Sequence, residues 1–232
     1  MTTMEQAFAK IQDEKYQSAL DDLRTITANE PNNWNAFYLA GICCRSDGDL
    51  REALRFINEA TLIQGCQPFV WTALGITHQL GGDFSKSISA IKIAIEKDKY
   101  AFDARNSLGL TYKKMGSLEK ALASYGVASQ LLIDEANYLA KDQGMAGTST
   151  TADGSKVYAL EADYMEFVGN WLRQDGRYCV VMNNIGGVYL EMNEHEEARD
   201  AFFESIEMTP LNTTYEAPYV GLETMGLSYP EE

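Results

Sequence analysis

The chain has 232 residues, 45% hydrophobic and 23% charged, with a formal net charge of −15. That composition supplies a continuous core, excludes a basic phosphate-binding surface, and contains no run near the 18 consecutive apolar residues that a membrane-crossing helix needs. The charge is uneven: residues 1–135 hold 14 Lys and Arg against 17 Asp and Glu, and residues 136–232 hold 5 against 17. The acidic C-terminal part repels nucleic acid and anionic lipid within a Debye length of about 8 Å, and it either solubilises an elongated protein or attracts a basic partner.

The opening residues Met1 to Gln6 lack a basic segment followed by an apolar run, so no secretory signal is expected. A period of 34 residues then governs the chain. It links Gly48, Gly82 and Gly116, then Gly41, Gly75 and Gly109, Ala53, Ser87 and Ala121, and Ala60, Ala94 and Ala128. Self-similarity at such a step means stacked supersecondary units, none able to bury its apolar face alone. Four units fill residues 1–135, as 1–33, 34–67, 68–101 and 102–135. The first carries Tyr16 and Ala19 in register, with Glu14 in place of the turn glycine.

Each unit reads as two antiparallel helices of about 12 to 15 residues, with Gly just past the first and Asp or Ser capping the second. Asp49 with Glu52, and Asn193 with Glu196, fit the reciprocal capping pattern. Gly41, Gly75, Gly109 and Gly186 fall inside helices, where glycine costs about 0.5 to 1 kcal/mol relative to Ala, so close approach of a neighbouring helix explains them.

Residues 136–178 break the period. The second helix of the fourth unit is expected to continue through Leu131, Leu132, Ala136, Tyr138 and Leu139 to about 25 residues. A mobile loop is expected over 145–155, rich in Gly, Thr and Ser. An amphipathic helix over 156–174 follows, carrying Val157, Leu160, Tyr164, Phe167, Val168, Trp171 and Leu172. This helix either joins units four and five inside the stack, docks on the protein's own groove, or exchanges with another copy. The fifth unit occupies 179–212. Residues 213–232 supply a capping helix, with Tyr219, Val220, Leu222 and Met225 apolar and Pro218 near its start, and a tail.

These residues resemble the tetratricopeptide repeat family. Its pattern is matched by Trp71, Leu74, Gly75, Gly82, Phe84, Ile91 and Ala94, and by Leu108, Gly109, Tyr112, Gly116, Ala121, Tyr125 and Ala128. Ile185, Gly186, Tyr189, Ala198, Phe202 and Pro210 match in the fifth unit, and Tyr16, Ala19, Leu23 and Pro31 more weakly in the first. Cys44 and His78 replace the usual aromatic, and Asn193 replaces the fifth turn glycine. The resemblance implies an all-α, right-handed superhelical solenoid of antiparallel helix pairs, with the helical insertion between repeats four and five.

It also implies a concave groove lined by the first helices, where family members hold peptides of partner proteins. Carried over residue by residue, the groove comprises Phe8, Ile42, Ile76 and Leu110, with Ile11, Arg45, Gln79 and Lys113 one turn later. Tyr38, Thr72 and Asn106 lie one turn earlier, and Phe69, Leu80 and Lys114 on the border. The polar side chains of the family's carboxylate clamp are missing, because Phe8 and Ile42 occupy their places, so an acidic C-terminal tail is a poor ligand.

Catalysis finds no support in the sequence. His78 and His195 have no partner at metal-ligand spacing, and the Gly-rich stretch from Gly144 to Thr150 lacks the Gly-Lys-Ser/Thr of a phosphate loop. Neither a metal nor a cofactor is expected, and Cys43, Cys44, Cys66 and Cys179 read as reduced thiols of a cytoplasmic protein. The expected function is a non-enzymatic scaffold or adaptor holding an amphipathic or extended protein segment. The alternative is a self-assembling homo-oligomer whose groove takes a helix of its own or of another copy.

Overall fold

The apolar spacing that the sequence repeats is realised as helices throughout the computed structural model, which describes residues 3–63, 66–143, 148–150, 156–158, 162–211 and 213–228. In chain order they are α1 (Met4–Gln12), α2 (Tyr16–Asn29), α3 (Trp34–Ser46), α4 (Leu50–Leu62), α5 (Pro68–Leu80), α6 (Phe84–Lys97) and α7 (Phe102–Lys114). There follow α8 (Leu118–Asp142), α9 (Ala162–Asp175), α10 (Arg177–Met192), α11 (His195–Glu207) and α12 (Ala217–Thr224). The chain forms two units, Met1–Thr111 and Tyr112–Glu232.

In the first unit each helix from α1 to α6 packs on the next, and the first helices α3 and α5 also touch. Small residues set the spacing. Ala7, Ala19, Ala36, Ala40, Ala53, Ala60, Ala90 and Ala94 are buried to 5% exposure or less, between the larger Leu23, Ile57 and Ile91. Gly75 shows why its position tolerates no side chain: a Cβ there would overlap Ile91 Cγ1 and lie 3.1 Å from the Ser87 carbonyl oxygen. The same overlap recurs between Gly41 and Ile57.

Every first helix ends alike, on a left-handed residue whose N–H and its successor's N–H close back on the last turn. At the third unit Gly82 (φ 79°) donates to the Gln79 carbonyl at 3.0 Å and Asp83 to that of His78 at 2.9 Å. Glu14 (φ 58°) and Asn193 (φ 63°) do the same work without being glycine. Gly226 (φ 72°) repeats it once more after α12, with Gly226 N–H on the Glu223 carbonyl and Leu227 N–H on that of Leu222. The expected capping helix is therefore, in its geometry, the first helix of a further unit. Seven residues before Gly226 stands Tyr219, 43% exposed, in the place that Ala7, Gly41, Gly75, Gly109 and Gly186 hold elsewhere.

In the second unit α8 runs unbroken for 25 residues. Helix α9 lies on α8 and α10, burying Tyr164, Val168 and Leu172, and the Tyr164 hydroxyl donates to Asn137 Oδ1 at 2.7 Å. Helices α10 and α11 pair through Gly186, where a Cβ would lie 2.7 Å from the Phe202 ring, and through the Ser205 hydroxyl, which donates to the Cys179 carbonyl at 2.6 Å. Helix α12 closes on α10 and α11 through Leu222 and Phe202.

Three local expectations need correction. The helix expected from residue 156 starts at Ala162; residues 156–158 instead form β2 (Lys156–Tyr158), antiparallel to β1 (Thr148–Thr150). Thr, Val and Tyr favour extended backbone, which the helical spacing of the apolar residues concealed. Residues 145–147 and 151–155 of the expected mobile loop lie outside the described residues. The reciprocal box at Asn193 is absent, because that residue ends α10 and Glu194 precedes α11 without a side-chain cap. At Asp49 only half of the box forms: its carboxylate accepts from Glu52 N–H at 3.0 Å, while the Glu52 carboxylate turns to Arg55 at 2.9 Å. The full box occurs at α1, between Thr3 and Gln6.

Candidate functional site

The expected groove residues of the first unit lie on successive first helices, and their exposure sorts them. On α3, Tyr38, Ile42 and Arg45 fall at intervals of four and three residues and so share one face. All three are half-buried, and Tyr38 and Ile42 rest on the cluster formed by Ile57, Ala60, Val70, Ala73, Leu74 and Ala90. On α5 the Phe69 ring is 45% exposed. It meets the Tyr38 ring edge-on at 5.1 Å between centroids and the Trp34 ring edge-on at 5.9 Å. Trp34, one turn before Tyr38 on the same face, thus completes an aromatic shelf of three rings; its place at the head of α3, a turn from Tyr38, was the available signal.

Ile76 on α5, and Asn106 and Leu110 on α7, are partly exposed, while Leu80 at the end of α5 is half-exposed. On α1, Ile11 rests on the first core cluster. Phe8, half-exposed, opens on a shallow cleft of about 290 Å³ lined with Met4, Gln12, Asn35 and Leu39.

Thr72 and Gln79 do not belong to an open channel. Both are 4% exposed. The Gln79 amide donates to Thr111 Oγ1 at 2.7 Å and to the Ser107 carbonyl at 3.5 Å, and Thr111 Oγ1 also meets the Ser87 hydroxyl at 3.1 Å. A polar side chain on the expected face turns inward because buried hydroxyls there require partners. Lys113 and Lys114 belong to the second unit. There the Lys113 ammonium lies over Gly187 and pairs with Glu191 at 3.4 Å, while Lys114 is exposed.

Electrostatics single out the α3 face. Burial pulls Arg45 below the usual guanidinium range, and burial raises the Tyr38 hydroxyl, which Arg45 lowers and Asp103 raises further. Arg45 Nη1 is shut off from solvent and meets no hydrogen-bond partner. Among the described residues no group of three or more His, Cys, Asp or Glu is placed to hold a metal, and no helix is long and apolar enough to cross a membrane. The cysteines are unpaired as thiols.

Two models of the tetratricopeptide repeat match the sequence, one over residues 5–68 and another over 102–126 and 181–210, together just over half of the chain. The chain belongs to the tetratricopeptide repeat family. Solved structures agree on the fold of this repeat protein. A crystal structure of MamA superposes with a TM-score of 0.62 at 16% identity, covering 89% of this chain and 95% of that one. MamA from Desulfovibrio magneticus RS-1 gives 0.61 at 13% identity, over 87% and 90%. YrrB, described as a TPR protein with an unusual peptide-binding site, gives 0.59 at 14% identity, over 97% and 90%. No curated protein matches the sequence.

Proposed function

We propose that this repeat protein is a non-enzymatic scaffold that holds a segment of a partner protein along the first-helix face of its first unit, over Phe8, Tyr38, Ile42, Phe69, Ile76 and Leu110. The observation that carries the reading is the Phe69 shelf. A ring 45% exposed, propped edge-on by Trp34 and Tyr38, offers a rigid apolar anchor at little entropic cost. The half-exposed Phe8 and Leu80 extend the apolar surface along the same set of helices. The peptide site named for YrrB supports the reading at the level of the fold. The self-assembly alternative is the weaker reading, because Tyr164, Val168 and Leu172 of α9 are buried against α8 and α10 of their own unit. The free thiols of Cys43, Cys44 and Cys179, all buried, and of the partly exposed Cys66 suit a reducing cytoplasm.

The test is selection from a library of random 16-residue peptides displayed at the N-terminus of a phage coat protein, followed by binding of the enriched peptides to Phe69→Asp and Phe8→Asp. Both positions are half-exposed, so both variants keep the helicity of the parent. Peptides enriched by the parent should lose roughly tenfold or more in affinity for Phe69→Asp, since the new carboxylate must be desolvated on docking. Equal binding by the parent and both variants, or no enrichment over the bare support, rejects the proposed face.

A further inference from the structure

We infer that the Arg45 end of the α3 stripe recognises a side-chain carboxylate of the bound segment, one to two helical turns from the residue that packs on the Phe69 shelf. The inference rests on the proposed face and names the chemistry of its occupant. Tyr38, Ile42 and Arg45 form one column on α3, and the seven residues from Tyr38 to Arg45 span about 10 Å. The shelf stands at the start of this column and the guanidinium at its end, with Ile42 between them.

Arg45 is the cation of that column, and it is unusual in what it lacks. Among the described residues Arg45, like Arg51, Arg105 and Arg173, makes no ion pair, but of these four it is Arg45 that has a buried guanidinium nitrogen without a hydrogen-bond partner. Its Nη1 is out of solvent with no acceptor, and a buried donor left unmade costs far more than a typical bond gains. Such a group is held in place by what it binds, or it relaxes outward. Half-buried Arg45 follows Ile42 by three residues on the same helix face and so stands at the end of the apolar strip.

The sign and the type of ligand follow from the neighbours. The Tyr38 hydroxyl feels the Arg45 guanidinium more strongly than the Asp103 carboxylate, so the charge that an anion meets on this column is the Arg45 cation. A planar carboxylate accepts two parallel N–H bonds from a guanidinium, which a backbone carbonyl or an amide does not. A single cation beside an apolar column suits an internal Asp or Glu of a segment lying along the helices. A free chain terminus would need the several polar side chains whose places Phe8 and Ile42 occupy.

The displayed library tests this directly, because its peptides are fused at the C-terminus and offer no terminal carboxylate. Sequences enriched by the parent should share an Asp or Glu at a fixed distance from an aromatic or large aliphatic residue. For one such synthetic peptide with an amidated C-terminus, Arg45→Gln should weaken binding roughly tenfold or more, and Arg45→Lys should recover part of the loss. Changing the peptide's Glu to Gln should cost the same with the parent protein and almost nothing with Arg45→Gln. Peptides that depend on Phe69 but show no acidic preference, or an acidic preference that Arg45→Gln leaves intact, overturn the inference while the binding face stands. Absence of any Phe69-dependent peptide removes both.

Discussion

Substituting Gly75 by Ala turns the packing argument into a change of sign. In an exposed helix this substitution stabilises by about 0.5 to 1 kcal/mol, through backbone entropy alone. Here the added methyl overlaps Ile91 Cγ1 and comes within 3.1 Å of both Ile91 Cδ1 and the Ser87 carbonyl oxygen. Ile91 is fully buried, so it has nowhere to yield, and overpacking a filled core costs about 1 to 3 kcal/mol. The net expectation is a loss of about 1 to 2 kcal/mol. Removing Ile91 first should blunt it. Ile91→Ala alone costs about 2 to 5 kcal/mol, but it relieves the overlap with the Ile91 side chain and leaves only the 3.1 Å approach to the Ser87 carbonyl oxygen, so Gly75→Ala in that background should cost about 1 kcal/mol less than in the parent. The assay is urea unfolding followed by Trp34 and Trp71 fluorescence with Trp171 replaced by Phe, so that only the first unit is read. With a slope of about 2 kcal/mol per molar, the single substitution should lower the midpoint by about 0.5 to 1 M. A midpoint that rises on Gly75→Ala in the parent would refute the claim that the glycine is there for close approach of α6.

The buried polar network makes its own prediction: Thr111→Val keeps the shape but strips the Gln79 amide and the Ser87 hydroxyl of a shared partner, and should cost about 1 to 3 kcal/mol in the same melt. Adding Gln79→Met should recover part of the loss, and an unchanged midpoint for Thr111→Val would mean that the network has no net value. Burial pushes the Cys43 and Cys44 thiols up to about 11, whereas unfolded thiols ionise near about 8.5. Folded-state pKa values above the unfolded ones mean that this contribution is intact below about pH 8.5 and declines as pH rises towards 11. The midpoint of the first unit should fall across that window, and Cys43→Ala with Cys44→Ala should flatten the fall; at pH 8, iodoacetamide should modify the partly exposed Cys66 before either.

The repeat fold was legible because its spacing is written in small residues. A glycine or alanine recurring at 34-residue intervals inside helices has few explanations other than helix pairs in close contact, and Gly41 on Ile57 and Gly75 on Ile91 supply that contact. What escaped lies where the register was carried by geometry without the usual residue. Glu14 and Asn193 end their helices in the left-handed region as the glycines do, and the ending at Gly226 identifies α12 as a first helix although Tyr219 breaks the small-residue series. The β1–β2 pair escaped for the opposite reason: Val157 and Leu160 fit a helical spacing, but β-branched and aromatic residues beside Gly and Asp fit a hairpin equally well.

The candidate face was legible only in outline, because a repeat register gives the direction of a Cβ and not the environment it meets. Ile42 and Ile76 lie on the same face of the first helices as Thr72 and Gln79, yet the isoleucines remain partly exposed and the polar pair is closed in. The difference comes from neighbours far along the chain. Thr111 and Ser107, 32 and 28 residues beyond Gln79, offer it acceptors, and an amide that finds such acceptors is held away from solvent. Arg45 stands at the same register position one repeat earlier, where Thr77 and Ala73 hold the places of Thr111 and Ser107; the Thr77 hydroxyl donates to the Ala73 carbonyl at 2.7 Å, and Arg45 Nη1 meets no partner. One register position therefore holds a satisfied core amide in one repeat and an unsatisfied cation in the next. That contrast marks Arg45, and not Gln79, as the polar side chain of this face that awaits a ligand.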